Sequence, residues 1–524
     1  MNWVIKQNND NESVKRLSNE LNISPILSSM LVNRRVKTFD EAKKFFRPNF
    51  EMLHDPFLMK DMSLAVERIQ KAIQKNESIM IFGDYDVDGT SSVALLSLYL
   101  ESLGLKIIKY LPDRKKEGYG VSINAIDHAF SKNHKLIIAL DCGIKAHKQV
   151  EYAKEKGIEF IICDHHNPDK NLPKALAILN PKRKDCAYPF KELCGCGVGF
   201  KLVQAVESKQ SKNNQIINYL DLVALAIAAD VVPLTGENRV LTFIGLQIIN
   251  SNPRPGVHSL LKKNVKKEYT ISDLMYYVGP RINAAGRMKH ASLALELLIC
   301  NDINSVEKLA LEIEDLNTSR RDIEKDITSQ AIEQVDNSSE KLNSIVVFDS
   351  DWNKGVIGIV ASRLVDKYYK PSIVFCESSK GVLTASARSI KGLDLYSVLN
   401  QCKGFIDQFG GHKYAAGLTI KKENLEGFKK HFENIVSQII DKNIFEQELL
   451  IESKINLNEI TPKFFRILKQ FEPFGPGNKS PLFLSENLKT KGKAFELGKE
   501  KEHIKLNLTQ DNKTSYSSIG FWFS

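Results

Sequence analysis

From about residue 78 the chain alternates short apolar runs with longer amphipathic ones. Residues 78–83, 135–140, 160–163 and 175–179 are rich in Ile, Val and Leu and end in polar clusters. Stretches with helical spacing, such as 91–102 and 145–156, fall between them. Short apolar runs of this kind predict buried strands, and strands alternating with helices predict a parallel sheet covered on both faces. Residues 290–340 read differently. Ala294, Leu297, Leu298, Val306, Leu309, Ala310, Ile313 and Leu316 recur at helical spacing among many charges, which predicts one or two long helices joining two lobes. The run 336–339 breaks that pattern.

A second alternating unit starts at Ser344, with strands expected at 345–348 and 372–375 and a helix at 355–368 between them. From about 446, short alternating runs surround a Pro/Gly turn at 473–478, the pattern of a small β-barrel. Residues 1–50 look helical and mixed in charge. The expected architecture is α/β. A helical appendage (1–50) precedes a parallel-sheet domain (51–290), and connecting helices (291–340) lead to a second α/β domain (341–442). A C-terminal β-barrel (443–524) ends the chain.

A chain of 524 residues is too long for one hydrophobic core. The formal charge of +10 suits a polyanionic partner without identifying one. No apolar run is long enough for a membrane helix, and residues 1–8 lack the basic start and apolar centre of a secretory signal. A cytoplasmic location with no membrane association is expected, and there thiols stay reduced. Eight cysteines are scattered. Cys186, Cys194 and Cys196 lack the paired Cys-x-x-Cys spacing of a zinc site and read as buried free thiols.

Chemistry concentrates in four places. Asp84, Asp86 and Asp88 occupy alternate positions after an apolar run, with Gly89 permitting a tight backbone and Thr90, Ser91 and Ser92 able to cap the following helix. A calcium loop is the competing reading, but its later bidentate Glu is missing. Asp141 ends a second strand. Asp164, His165 and His166 follow a third, and Asp230 closes an apolar helix. In an open parallel sheet, groups at the carboxyl ends of strands gather along one edge. Mixed carboxylate and imidazole donors point to Mn²⁺ or Mg²⁺. Two such ions clamp the attacking and leaving oxygens of a phosphoryl transfer.

These segments resemble the four signature motifs of the DHH phosphoesterase family. The resemblance implies Asp86, Asp88, Asp141, His165 and Asp230 as metal ligands, with Asp141 bridging two ions. It implies His166 beside the scissile phosphate, Asp84 as an accessory carboxylate and Asp164 as a partner orienting the histidines. The segments 110–114, 117–120, 194–199 and 279–287 are similar to those of the RecJ-type exonucleases within that family. The run 355–363, the Ala385–Ser386–Ala387–Arg388 strand and Gly410–Gly411–His412 resemble the DHH-associated substrate-binding domain.

By this resemblance Arg114, Arg281, Ser386, Arg388 and His412 bind substrate, and the tail is an oligonucleotide-binding (OB-like) barrel. The implied activity is 5′-to-3′ hydrolysis of single-stranded DNA in repair and recombination, by a monomer working beside single-strand binding protein and a helicase. A slot between the lobes would admit one strand and exclude duplex. Asn353 stands where such sequences generally carry His, which removes an imidazole from that position. Relatives run on past Gly520, so the barrel is expected to be incomplete.

Overall fold

A computed structural model describes the chain except for residues 1, 8–9, 115, 211–215, 263, 339–341, 440–447 and 524. The expected boundaries at 340/341 and 442/443 lie outside the described residues. Two units are present: His54–Val232 with Gly245–Gln447, and Met1–Leu53 with Pro233–Ile244 and Glu448–Ser524.

The larger unit begins with the parallel sheet. Its strands are β1 (Ile79–Gly83), β2 (Ile107–Tyr110), β3 (Leu136–Leu140), β4 (Glu159–Cys163) and β5 (Ala177–Leu179), in the order β2-β1-β3-β4-β5. Strands β1 and β3 are buried throughout, which explains their unbroken apolar sequences. Register aligns the strand ends. Gly83 lies opposite Leu140, Leu140 opposite Cys163, and Cys163 opposite Leu179. The residues that follow, Asp84, Asp141 and Asp164, therefore emerge side by side. The strand order reverses between β1 and β3, and that crevice is where such sheets hold ligands.

Helices α1 (Val87–Ser102), α2 (Gly195–Glu207) and α3 (Leu220–Asp230) pack on one another beside this edge. Helix α1 begins four residues before the expected start at 91. Its cap is Asp86, whose carboxylate accepts from the Gly89 N–H at 3.0 Å, rather than the Thr90–Ser91–Ser92 run. After α4 (Gly279–Met288), the expected long helices are Ser292–Ile299 and α5 (Ile303–Asp336). Helix α5 has 34 residues, a rod of roughly 50 Å.

The second sheet consists of β6 (Ile345–Asp349), β7 (Ser372–Ser379), β8 (Val382–Arg388), β9 (Gln408–Gly411) and β10 (Ala415–Lys421), in the order β9-β10-β8-β7-β6. Only β6 and β7 are parallel. Helix α6 (Ile357–Tyr368) joins that pair and packs on the same face as Val374 and Cys376. Along β8, Leu383, Ala385 and Ala387 enter the core beneath Phe428 and Phe432, while Thr384, Ser386 and Arg388 face the other way.

In the smaller unit, helices Asn11–Leu21, Pro25–Asn33 and Phe39–Phe46 share a core with Ile455, Phe464 and Phe471. Strand Asn2–Ile5 pairs in parallel with Glu448–Ile451. The antiparallel strands of the tail centre on His503–Thr509, which pairs with Tyr516–Phe521, Phe495–Leu497 and Lys489–Thr490. Phe471 is fully buried, whereas Phe521, Trp522 and Phe523 are exposed. All eight cysteines are free, and seven are buried. Among the described residues, no helix is long and apolar enough to cross a membrane.

Candidate active site

The loop after β1 folds as it does because of two glycines. A Cβ on Gly89 would overlap the backbone of Asp84, and one on Gly83 would strike Val93 and the Gly89 carbonyl. Their bare backbones let the first turn of α1 sit directly on the strand end, which brings Asp84, Asp86 and Asp88 together. Asp141 sits at φ 58, a left-handed conformation that costs energy in a non-glycine residue and turns its carboxylate toward the same point.

His165 occupies the centre. Its Nε2 lies 3.2 Å from Asp141 Oδ1, 3.6 Å from Asp230 Oδ2 and 3.9 Å from Asp88 Oδ2. That nitrogen is buried without a hydrogen-bond partner, as are Asp84 Oδ1 and Asp230 Oδ2. Donor atoms of Asp88, His165 and Asp230 lie within 4.8 Å of one another, and so do those of Asp84, Asp86 and Asp141. Asp141, His165 and His166 form a third such group. The three groups overlap through Asp141 and His165.

The electrostatics agree with that arrangement. Burial, and then the neighbouring Asp86, push Asp88 up to about 7. Burial and neighbouring aspartates also raise Asp84, Asp141 and Asp230 well above the usual carboxylate range. Burial, then the charge of His166, brings His165 down to about 3, so its imidazole is neutral and can act as a ligand. Crowded, desolvated carboxylates with orphaned oxygens and a neutral imidazole are stabilised when divalent cations supply the missing positive charge. The donor set fits two such ions.

Asp164 has a different part. Its Oδ1 accepts from the His165 and His166 N–H groups at 2.7 and 3.0 Å and pairs with His166 Nδ1 at 2.7 Å, while Oδ2 accepts from Ile144 N–H at 2.9 Å. Burial alone would raise its pKa, but the bond to His166 and the surrounding N–H donors outweigh it and hold Asp164 at about 2. For His166, burial is likewise outweighed, here by the bond and charge of Asp164, and its pKa rises.

One contribution was missed in the sequence. The Gly195 and Cys196 N–H groups, at the start of α2, donate to the two oxygens of Asp88 at 2.7 Å each. A Cβ on Gly195 would meet Asp141 Cβ at 2.5 Å and Oδ1 at 2.6 Å. The segment 194–199 thus supports the carboxylates through its backbone, at a helix N-terminus where negative charge is favoured.

The centre opens onto a cleft of about 950 Å³. One wall carries Tyr85, Arg114, Tyr119, Asp164 and His166, and the other carries Ile357, Ser386, Gly410, His412 and Gly417. A cleft lined by both lobes is therefore present. His412 stacks on His166 across it, ring centroids 6.2 Å apart and 12° from parallel. Tyr119 Oη stands 3.3 Å from His166 Nε2. Arg114 lies over the Tyr85 ring at 4.9 Å.

Arg281 does not join this group. Its guanidinium is held by Glu314 at 2.6 and 3.2 Å and donates to the Tyr277 carbonyl. Arg287, in the same helix, lies near Arg114 and Arg388 instead. Burial, then the charges of Arg114, Arg320 and Arg388, lower it to about 9, and its Nη1 donates to the Gly355 carbonyl at 2.9 Å.

Three family models match the chain: DHH family, N-terminal domain (residues 78–227), DHHA1 domain (341–438) and RecJ OB domain (451–524). The single-stranded-DNA-specific exonuclease RecJ of Bacillus subtilis is 36% identical over 99% of this chain and 66% of its own length. That of Haemophilus influenzae is 34% identical over 94% of this chain and 88% of its own. The crystal structure of Thermus thermophilus RecJ in complex with Mn²⁺ superposes with a TM-score of 0.86 at 26% identity, covering 100% of this chain and 74% of that one. The carboxylate–histidine centre, the facing phosphate-type donors and these relatives agree, and the chain belongs to the RecJ family of DHH phosphoesterases.

Proposed function

We propose that this protein is a metal-dependent exonuclease that removes nucleotides from the 5′ end of single-stranded DNA. The observation that carries the reading is a cluster of carboxylate and imidazole donors beside a cleft whose lining includes Arg114 and Ser386, with Arg287 and Arg388 close enough to Arg114 to feel its charge. Asp86, Asp88, Asp141, His165 and Asp230 would hold the ions, with Asp84 beside them. Bound there, the ions supply Lewis acidity and lower the pKa of an attacking water. His166, whose protonated form Asp164 favours, would offset charge on the scissile phosphate, and His412 faces it from the other wall.

The arginines, with Ser386, grip the terminal 5′-phosphate through charge-assisted hydrogen bonds. Hydrolysis adds water across the phosphorus–O3′ bond behind the terminal nucleotide. The products are a 5′-mononucleotide and a strand shortened by one, which again ends in a 5′-phosphate. Each cut therefore regenerates the group that the arginines read.

In this reading residues 51–290 are catalytic, 341–442 bind the strand end and the OB-like tail holds the strand beyond. The same reading gives a cytoplasmic bacterial monomer acting in repair and recombination, on strands opened by a helicase or coated by single-strand binding protein. The test is digestion of end-labelled strands with and without Mn²⁺. A 5′ label should leave as mononucleotide at once, a 3′ label should leave last, and duplex should survive. Attack from the 3′ end, or equal activity in chelator, overturns the reading.

A further inference from the structure

Helix α6 starts against two of the anion donors, and a single missing side chain makes the fit. Thr384, Ser386 and Arg388 project from β8 toward α6. A Cβ built on Gly358, the second residue of that helix, would lie 3.1 Å from Ser386 Oγ, 3.1 Å from Arg388 Nη2 and 3.5 Å from Ser386 Cβ. Contacts that close force the neighbours to move. The backbone of Gly358 is ordinary helix, so glycine is not needed there for its conformational freedom. In a helix interior glycine is worse than alanine. The chain thus keeps glycine in the first turn of α6 where a methyl group would press on both donors.

The surroundings narrow what those donors are for. Arg388 is largely buried, and burial followed by the charge of Arg114 lowers its pKa. Its Nη1 is spent on the Ala387 carbonyl at 2.9 Å, so Nη2 is the end turned toward Gly358 and Ser386. Arg287 donates to Gly355, three residues before Gly358, and a Cβ on Gly355 would meet the Arg287 carbonyl at 2.9 Å. Gly358 therefore seats Ser386 and Arg388, and Gly355, two residues before α6, seats Arg287. We propose that Gly358 is a specificity-determining positioning residue, whose missing side chain sets Ser386 and Arg388 at the spacing that accepts a 5′-phosphate in preference to a 5′-hydroxyl. This rests on the reading that the arginine group binds the strand's terminal phosphate.

The experiment compares kcat/KM on matched single strands carrying a 5′-phosphate or a 5′-hydroxyl, in Mn²⁺, for the full-length chain and its Gly358→Ala variant. Wild type should prefer the phosphate. In Gly358→Ala the preference should fall about tenfold, the scale of one hydrogen bond to a charged group, carried mainly by KM. The melting temperature should hold or rise, because alanine favours the helix. On a Ser386→Ala background the same substitution should cost much less, since its effect runs through Ser386. A wild-type preference retained in full by Gly358→Ala, or an equal loss on both backgrounds, overturns the assignment to Gly358. No preference in wild type overturns the reading beneath it.

Discussion

Asp141 and Gly195 show how little room the centre leaves at the level of single atoms. Asp141 reaches its position through left-handed backbone, and its carboxylate passes within a methyl group's width of Gly195 Cα. Asp141→Ala should abolish hydrolysis, because the proposed ions lose a ligand; unchanged turnover would remove it from the centre. Gly195→Ala is the sharper test. The added methyl must push Asp141 aside and shift the N–H groups that hold Asp88. An expected loss of 10–100-fold in Mn²⁺ affinity, typical for groups that support ligands, should appear in a titration of activity against metal. Near-normal affinity in Gly195→Ala would mean that α2 gives way and does not brace the site.

At the scale of elements, three strand ends and two helix ends bring the carboxylates together, and their mutual repulsion becomes a property of the fold. Without ions, Asp88 has a folded pKa of about 7 against an ordinary value of 3.8, and Asp84, Asp141 and Asp230 shift the same way. Between about pH 4 and pH 7 these four carboxylates bind more protons in the folded chain, outnumbering His165, whose lowered pKa acts the other way, so metal-free stability falls as pH rises through that window. Melting curves in chelator should drop with pH over this range, and the gain on adding Mn²⁺ should grow over the same range. A flat chelator curve would contradict a cluster of uncompensated carboxylates.

The gathering of these carboxylates and imidazoles was legible in the sequence because each lies within a few residues of a short apolar strand or closes an apolar helix, and parallel register does the rest. The role of residues 194–199 was not legible, because backbone N–H groups leave no trace in residue identity. Which of Arg281 and Arg287 approaches Arg114 and Arg388 was equally closed to sequence. Six residues apart, they lie about 120° apart around one helix, and periodicity alone does not say which faces the cleft.

For the molecule as a whole, the residues proposed to do chemistry all fall within His54–Val232 and Gly245–Gln447, while the remaining unit is assembled from three distant stretches. That assembly was invisible in the sequence, where 1–50 and 443–524 read as separate domains. Arg239 shows what holds the stretches together. Its guanidinium lies 3.9 Å from the Phe45 ring centroid and donates to the carbonyls of Phe45, Gln470, Phe471 and Glu472. Burial, then the charge of Arg34, lowers it to about 10. A cation held by carbonyls and a ring ties the 233–244 stretch to both the N-terminal helices and the tail. Replacing it with Met keeps much of the bulk but leaves several buried carbonyls without donors, at a cost of about 3 kcal/mol. In Arg239→Met this unit should therefore open first, giving an early transition on heating and protease cuts confined to 1–53, 233–244 and 448–524. Hydrolysis of a 5′-phosphorylated trinucleotide at temperatures below that transition should stay near the wild-type rate, because every proposed ligand and phosphate donor lies in the other unit. A parallel loss of trinucleotide hydrolysis would show that the metal centre depends on the second unit for more than strand capture.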